Sequence, residues 1–338
     1  MPQSALPDLS FVIPAYNEAG NIAETLTRVA AKAAELVDHA EIIVVDDGST
    51  DATVAEIRAT DLAIPVTTLR LSRNFGKEQA IMAGLDRSRG RAVVIVDADL
   101  QEPLHYVDEM MRHYRDGYEM IYGVRAHRRD ESWRKRAFTG AFYKVLNFGS
   151  ETEIPPDARD FRLMDRKVVD ALCSLPERNR FMKGLYGWVG FRTLAIPVEI
   201  DKRGSGISKF NTRGLFRLGF TGITGFTNWP LRIWTGIGMG LATLSILYGG
   251  WILAKTLIWG RDLPGFATLA VAVFFLGGVQ LISIGVLGEY LARVFNEVKG
   301  RPGYLIAEEI NSAPGLKPET EADVQAGPKI ETGTGSPR

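Results

Sequence analysis

With 338 residues, 46% of them hydrophobic, the chain can bury a large core and still have sequence left for a second element. Lys plus Arg and Asp plus Glu number 40 each, so net charge singles out no partner and suggests no nucleic acid. The single cysteine, Cys173, excludes an internal disulfide and a cysteine-built zinc site, and four histidines without H-E-x-x-H argue against a zinc hydrolase. The opening MPQSALPDLS has neither a basic nor an apolar run, so no secretory signal is expected.

Leu9–Pro14 reads as a short apolar strand, followed by a turn at Ala15, Tyr16, Asn17 and Glu18 and a helical pattern over Asn21–Val37. Glu41–Val45 is a second strand that breaks at Asp46-Asp47-Gly48-Ser49, with Thr50 or Asp51 suited to cap the next helix. Val66–Leu71 and Arg91–Val96 are the third and fourth strands. Helical stretches separate them, which predicts a mostly parallel sheet with its ligand at the carboxyl edge. Tyr118–Val124 continues the sheet, a basic and aromatic helix is expected over Glu131–Asn147, and Asp160–Leu163 and Thr193–Asp201 are further strands.

From Lys209 to Asn228 the pattern is amphipathic and suits a membrane surface. Leu231–Ile258 and Phe266–Tyr290 are each long enough to cross a hydrocarbon core of about 30 Å. The short connector Gly260–Gly265 makes them an antiparallel hairpin. Arg213, Arg217, Arg232, Arg293, Lys299 and Arg301 then place both flanks in the cytoplasm by the positive-inside rule. A pair of buried core helices is the plainer alternative. From Asn311 the composition turns to Pro, Gly, Thr, Glu and Lys without periodicity, as in a disordered tail. The expected organisation is a cytosolic domain over 1–208, a juxtamembrane segment over 209–229, the hairpin over 230–293 and a cytosolic tail over 294–338.

The fourth strand ends in Asp97-Ala98-Asp99. Side chains at i and i+2 of an extended segment point the same way, so two hard oxygen donors face one side. Such a pair suits Mg²⁺ or Mn²⁺ bridging a diphosphate; taken alone it is equally a solvated acidic turn. No G-x-G-x-x-G follows the first strand and no G-K-[ST] occurs, which disfavours dinucleotide binding and a P-loop.

Together, Pro14-x-Tyr16-Asn17-Glu18, Asp46-Asp47-Gly48-Ser49 and Asp97-Ala98-Asp99 at successive strand ends resemble the family 2 glycosyltransferases of the GT-A fold. Asn74-Phe75-Gly76-Lys77-Glu78, Asp160-Phe161-Arg162-Leu163, Arg180-Phe181-Met182-Lys183-Gly184, Trp188-Val189-Gly190-Phe191 and Ser208-Lys209 narrow the likeness to the polyprenyl-phosphate glycosyltransferases. Within these the chain resembles the GtrB-type bactoprenol glucosyltransferases, and dolichol-phosphate mannose synthase more distantly. The resemblance spans roughly residues 8–305 and implies an inverting, metal-dependent transfer of a hexose, glucose from UDP-glucose, to undecaprenyl phosphate at the inner membrane.

It further implies that Pro14, Tyr16, Glu18, Lys77, Asp97 and one of Asp46 or Asp47 hold the nucleotide sugar, and that Asp97, Asp99 and Gln101 hold the metal. Arg125, Arg136, Ser208 and Lys209 are implied for the acceptor phosphate, amid the basic run Arg128, Arg129, Arg134 and Lys135. Asp160 and Arg203 are implied at the reacting centre, Asp160 as base or as a group that positions the donor, Arg203 on the glycine-rich loop Arg203–Lys209 that closes over it. Another donor sugar, a non-catalytic binding protein of the same fold, and homo-oligomerisation remain open at the level of sequence.

Overall fold

The computed structural model describes residues 6–126, 158–178, 180–199, 229–259 and 265–312. The expected helix over 131–147, the loop 203–209 and the segment 209–228 therefore lie outside the described residues, as does the tail from 313 onward.

Each expected strand is present. In chain order they are β1 (Leu9–Ala15), β2 (Ala40–Asp46), β3 (Val66–Leu71), β4 (Ala92–Ile95), β5 (Met120–Arg125), β6 (Ala158–Asp165) and β7 (Thr193–Val198). An eighth, β8 (Ile306–Ser312), completes one sheet of order β7-β5-β6-β4-β1-β2-β3-β8. β1 pairs in parallel with β2 and β4, β2 with β3, and β5 with β7; β6 runs antiparallel between β4 and β5. The central strands carry apolar side chains on both faces because helices cover both. Leu9, Phe11 and Ile13 of β1 face the core shared with α1 (Ile22–Leu36), α2 (Thr53–Ala59) and α4 (Tyr106–Arg115). Val12 faces the opposite core, shared with α3 (Lys77–Arg87), α5 (Arg166–Ser174) and α6 (Met182–Trp188). Helix α1 buries Ile22, Leu26, Val29, Ala30 and Ala33, a stripe at helical spacing, and turns its polar residues outward.

The chain winds outward through β1, β2 and β3, then crosses back over β1 to form β4 on its other side. At such a reversal the connections leaving two neighbouring strand ends depart in opposite directions and leave a crevice between them. Here that crevice opens beyond β1 and β4. The antiparallel register of β6 serves the same place: Ile95 lies opposite Arg162, and continuing that ladder by two residues sets Asp97 against Asp160.

Two long helices follow, α7 (Trp229–Trp259) and α8 (Phe266–Val298). They pack on each other, with a cavity of about 370 Å³ between Trp234, Leu241 and Ser245 of one and Leu276, Gln280 and Ser283 of the other. Among the described residues one stretch, Phe275–Val298, is long and apolar enough to cross a membrane; the apolar stretch of α7, Gly236–Ile252, is shorter. Helix α8 continues two turns past the expected end at Tyr290.

The segment after α8 carries an element that the sequence reading did not anticipate. β8 adds antiparallel to the edge strand β3, from Val66 opposite Ser312 to Leu71 opposite Ile306. Arg58 pairs with Glu308, and Arg87 reaches Glu309 at 2.7 Å. The end of α8 is also fastened: the Glu297 carboxylate accepts the Arg178 backbone N–H at 3.1 Å, and Tyr304 donates to Asp86 of α3 at 2.6 Å. An edge strand that would otherwise present unpaired N–H and C=O groups is thus covered by the returning chain.

Candidate active site

The crevice at the reversal is a cleft of about 420 Å³ whose lining includes Pro14, Tyr16 and Glu18 after β1, Asp47 after β2, Lys77 at the start of α3, and Asp97 and Asp99 after β4. Seven residues singled out from the sequence thus converge there from four separate strand ends or helix starts.

The two loops on the β1–β2 side hold each other. The Ser49 hydroxyl accepts the Asn17 backbone N–H at 2.9 Å, and the Asn17 side chain accepts the Thr50 N–H at 2.9 Å while its own backbone is left-handed at φ 54°. Asp46 is fully buried, accepts the Ser49 N–H at 3.1 Å and sits 3.8 Å from Arg70, below the cleft lining. Asp47 accepts the backbone N–H groups of Phe75 at 2.7 Å and Gly76 at 2.9 Å. It anchors the turn that launches α3 and so sets where Lys77 stands. Burial raises the Asp47 carboxyl above its ordinary range despite these two donors.

Gly48 makes this arrangement possible. Its φ is +71°, and a Cβ there would come within 2.6 Å of the Arg73 carbonyl carbon. Gly48→Ala is expected to destabilise the fold by roughly 1–3 kcal/mol and lower Tm by several degrees. Thermal unfolding checks this, and a Tm within one degree of the parent would contradict it.

On the β4 side, Leu100 adopts a left-handed φ of 45°, which folds the chain back after Asp99. The turn brings Glu102 to the two aspartates: oxygen atoms of Asp97, Asp99 and Glu102 all lie within 4.8 Å of one another. Glu102 is 2% exposed and pairs with Arg159 at 3.2 Å, and its second oxygen has no hydrogen-bond partner. Burial, and then Asp97, push its carboxyl up to about 7. Three hard oxygens with a buried orphan among them fit a divalent cation of the Mg²⁺ or Mn²⁺ type. Gln101, named from the sequence, gives its backbone N–H to Asp99 at 3.3 Å. Glu102 was missed as a donor; its signal is local, three residues after Asp99, but depends on the left-handed turn at Leu100.

Lys77 joins the two halves of the centre. Its ammonium lies 2.7 Å from Asp97 and 2.8 Å from Asp160, as the β4–β6 register requires. Burial works against the Lys77 charge, yet Asp97 and Asp160 outweigh it and hold the pKa well above the ordinary lysine value. For Asp160, burial favours the neutral acid, but Lys77, then Arg162 and Lys183, hold the carboxyl down at about 2. Arg125 stands exposed at the end of β5, which runs parallel to β4 and so ends on the same edge of the sheet. Arg136, Arg203, Ser208 and Lys209 lie outside the described residues.

Comparison with known proteins agrees with this architecture. Residues 10–173 match the glycosyl transferase family 2 model, and residues 229–294 match the GtrB C-terminal hairpin. The chain is 45% identical over 302 residues to an uncharacterized glycosyltransferase of Synechocystis sp., covering 89% of this chain and 95% of that protein. It is 42% identical over 308 residues to the SfII prophage-derived bactoprenol glucosyl transferase of Shigella flexneri, covering 90% and 99%. Among solved structures, glucosyl-3-phosphoglycerate synthase from Mycobacterium tuberculosis is similar at 20% identity and a TM-score of 0.42, over 64% of this chain and 76% of that one. The chain is a glycosyltransferase with a GT-A sheet, and it belongs to glycosyl transferase family 2, in the group that carries the GtrB C-terminal hairpin.

Proposed function

We propose that the enzyme transfers glucose from UDP-glucose to a polyprenyl phosphate such as undecaprenyl phosphate, with inversion at the anomeric carbon. The observation that carries this reading is the joining of a carboxylate-rich cleft to Asp160 through Lys77, in a chain that continues into long apolar helices. Relatives covering nearly the whole chain bear the name bactoprenol glucosyl transferase, which supports the lipid acceptor and the sugar.

On this reading Pro14, Tyr16, Glu18 and Asp47 receive the nucleoside from the cleft wall, with Asp46 supporting the loop beneath. A carboxylate acceptor suits the N3–H of uracil. Asp97, Asp99 and Glu102, with Gln101 beside them, would hold Mg²⁺ or Mn²⁺, which when bound neutralises charge on the diphosphate leaving group. Lys77 holds Asp97 and Asp160 in fixed relation. The lipid phosphate oxygen attacks the anomeric carbon, the new carbon–oxygen bond forms as the bond to the diphosphate breaks, and the electron pair departs with UDP. A phosphate oxygen is already anionic near neutral pH, so a carboxylate held ionised at about 2 is suited to orienting the sugar rather than to taking a proton. Arg125, Arg136, Ser208 and Lys209 would meet the acceptor phosphate, and Arg203 would offset charge as its loop closes. Helices α7 and α8 would both span the inner membrane, with the catalytic domain and both termini in the cytoplasm.

Radiolabelled UDP-glucose, undecaprenyl phosphate and Mg²⁺ or Mn²⁺ are expected to give labelled lipid with the purified protein. Label from a different sugar nucleotide would reassign the donor. No lipid label from any sugar nucleotide would overturn the acceptor.

A further inference from the structure

Behind Asp160 lies a second cavity of about 200 Å³, enclosed by Met120, Tyr122, Arg162, Lys183, Tyr186 and Phe191 among others, with no acidic side chain in its lining. Its chemistry is opposite to that of the first cleft. Arg162 is 2% exposed, and its guanidinium lies 3.3 Å from the centre of the Tyr186 ring. It donates to the carbonyl oxygens of Arg159 at 2.6 Å and Asp160 at 3.4 Å and approaches the Met120 sulfur at 3.6 Å. Among the described residues no carboxylate comes within ion-pair distance of it. Carbonyl dipoles offset only part of a buried cation's desolvation, so the arrangement favours an incoming negative charge. Tyr186 is 3% exposed, and its hydroxyl has no hydrogen-bond partner. Lys183 adds a third donor, and burial lowers its pKa, with the cations Arg162, Lys77 and Arg159 acting in the same direction and Asp160 against it.

A planar guanidinium, an ammonium and a phenolic O–H offer donors and cations and almost no acceptors. That set suits a phosphate oxyanion better than sugar hydroxyls, which donate as well as accept. Asp160 connects the two cavities: its carboxylate touches Lys77, which lines the cleft, and its carbonyl accepts from Arg162, which lines the pocket. In an inverting displacement the nucleophile and the leaving diphosphate stand on opposite sides of the sugar carbon. A phosphate in the pocket and a diphosphate in the cleft would flank Asp160 in the same way.

We propose that the pocket of Arg162, Lys183 and Tyr186 is a phosphate-monoester site that receives the head of the acceptor lipid. This rests on the lipid-acceptor reading above for the source of the phosphate, though not for the oxyanion chemistry. The competing source is the diphosphate of the donor.

The test is calorimetric binding to the full-length protein in nanodiscs, with geranyl phosphate as the phosphate probe, geraniol as its uncharged control and UDP as the donor-side probe. Lys183→Gln is expected to weaken geranyl phosphate about tenfold or more, Tyr186→Phe severalfold, and both to leave UDP within about twofold. Lys183→Arg, which keeps the charge, is expected to recover most of the affinity and guards against a folding defect. Geraniol is expected not to compete. Geranyl phosphate affinity within twofold of the parent in Lys183→Gln would overturn the site, and equal weakening of UDP would give it to the donor diphosphate instead. Binding needs no turnover, so the lipid-labelling assay can fail while the phosphate site stands, or succeed while it falls.

Discussion

Replacing Asp99 with Asn is expected to lower kcat/KM by about 10²–10³, a loss of roughly 3–4 kcal/mol of transition-state stabilisation. The substitution keeps shape and removes one of three carboxylates whose oxygens lie within 4.8 Å. The divalent cation needed for half-maximal activity should rise roughly tenfold or more, because Asp97 and Glu102 alone bring less charge to the site. Asp99 is only partly buried and its carboxylate accepts the Gln101 N–H, a bond the Asn side-chain oxygen can still accept, so thermal unfolding should stay near that of the parent. Activity within threefold of the parent, under saturating metal, would remove Asp99 from the metal-binding role.

Asp160→Asn is expected to cost about 10² or more in kcat, with UDP affinity little changed, since Asp160 touches Lys77 rather than the β1–β2 loops. Two pH experiments separate its possible roles. A carboxyl at about 2 is ionised throughout pH 5–8, so the variant should keep the parent's pH–rate shape at a lower level. An acid limb between pH 5 and 8 that disappears in Asp160→Asn would make it a general base. Stability gives the second reading. The folded pKa lies below the unfolded value near 3.9, so the folded state holds fewer protons and gains stability above that value. The parent should lose about 2 kcal/mol of this as pH falls through about 2, a loss that Asp160→Asn should lack.

The local part of the site was readable because it consists of strand ends. Runs such as Phe11–Ile13 and Val93–Val96 are buried on both faces, and the polar residues that stop them must lie at the carboxyl edge. Asp47, Lys77, Asp97 and Asp99 could therefore be placed at one edge before any coordinates. Their partners could not. Asp47 carries its charge to the Phe75 and Gly76 amides rather than into open cleft, a contact across 28 and 29 residues. Glu102 entered the carboxylate group through one left-handed residue, Leu100, a conformation that Leu does not signal.

β8 went unread for a different reason. IAEEINS has little apolar content, and as an edge strand it draws its pairing from the backbone of β3 and from Arg58 and Arg87. Such a strand has no periodic apolar face, since its stability comes from an edge already built by distant sequence.

By itself the sequence determined the order of strands and helices, the carboxyl edge at which the acidic motifs gather, and the apolar helices that follow. Those depend on spacing along the chain, which burial periodicity records directly. Tertiary structure alone decided that Lys77 joins Asp97 to Asp160, that Glu102 completes the carboxylate cluster, and that a buried arginine backs the reacting centre. It also decided that the chain returns from α8 to close the sheet. Each of these is a pairing between segments far apart in the chain, set by strand register and packing, and register leaves no mark in either partner read alone.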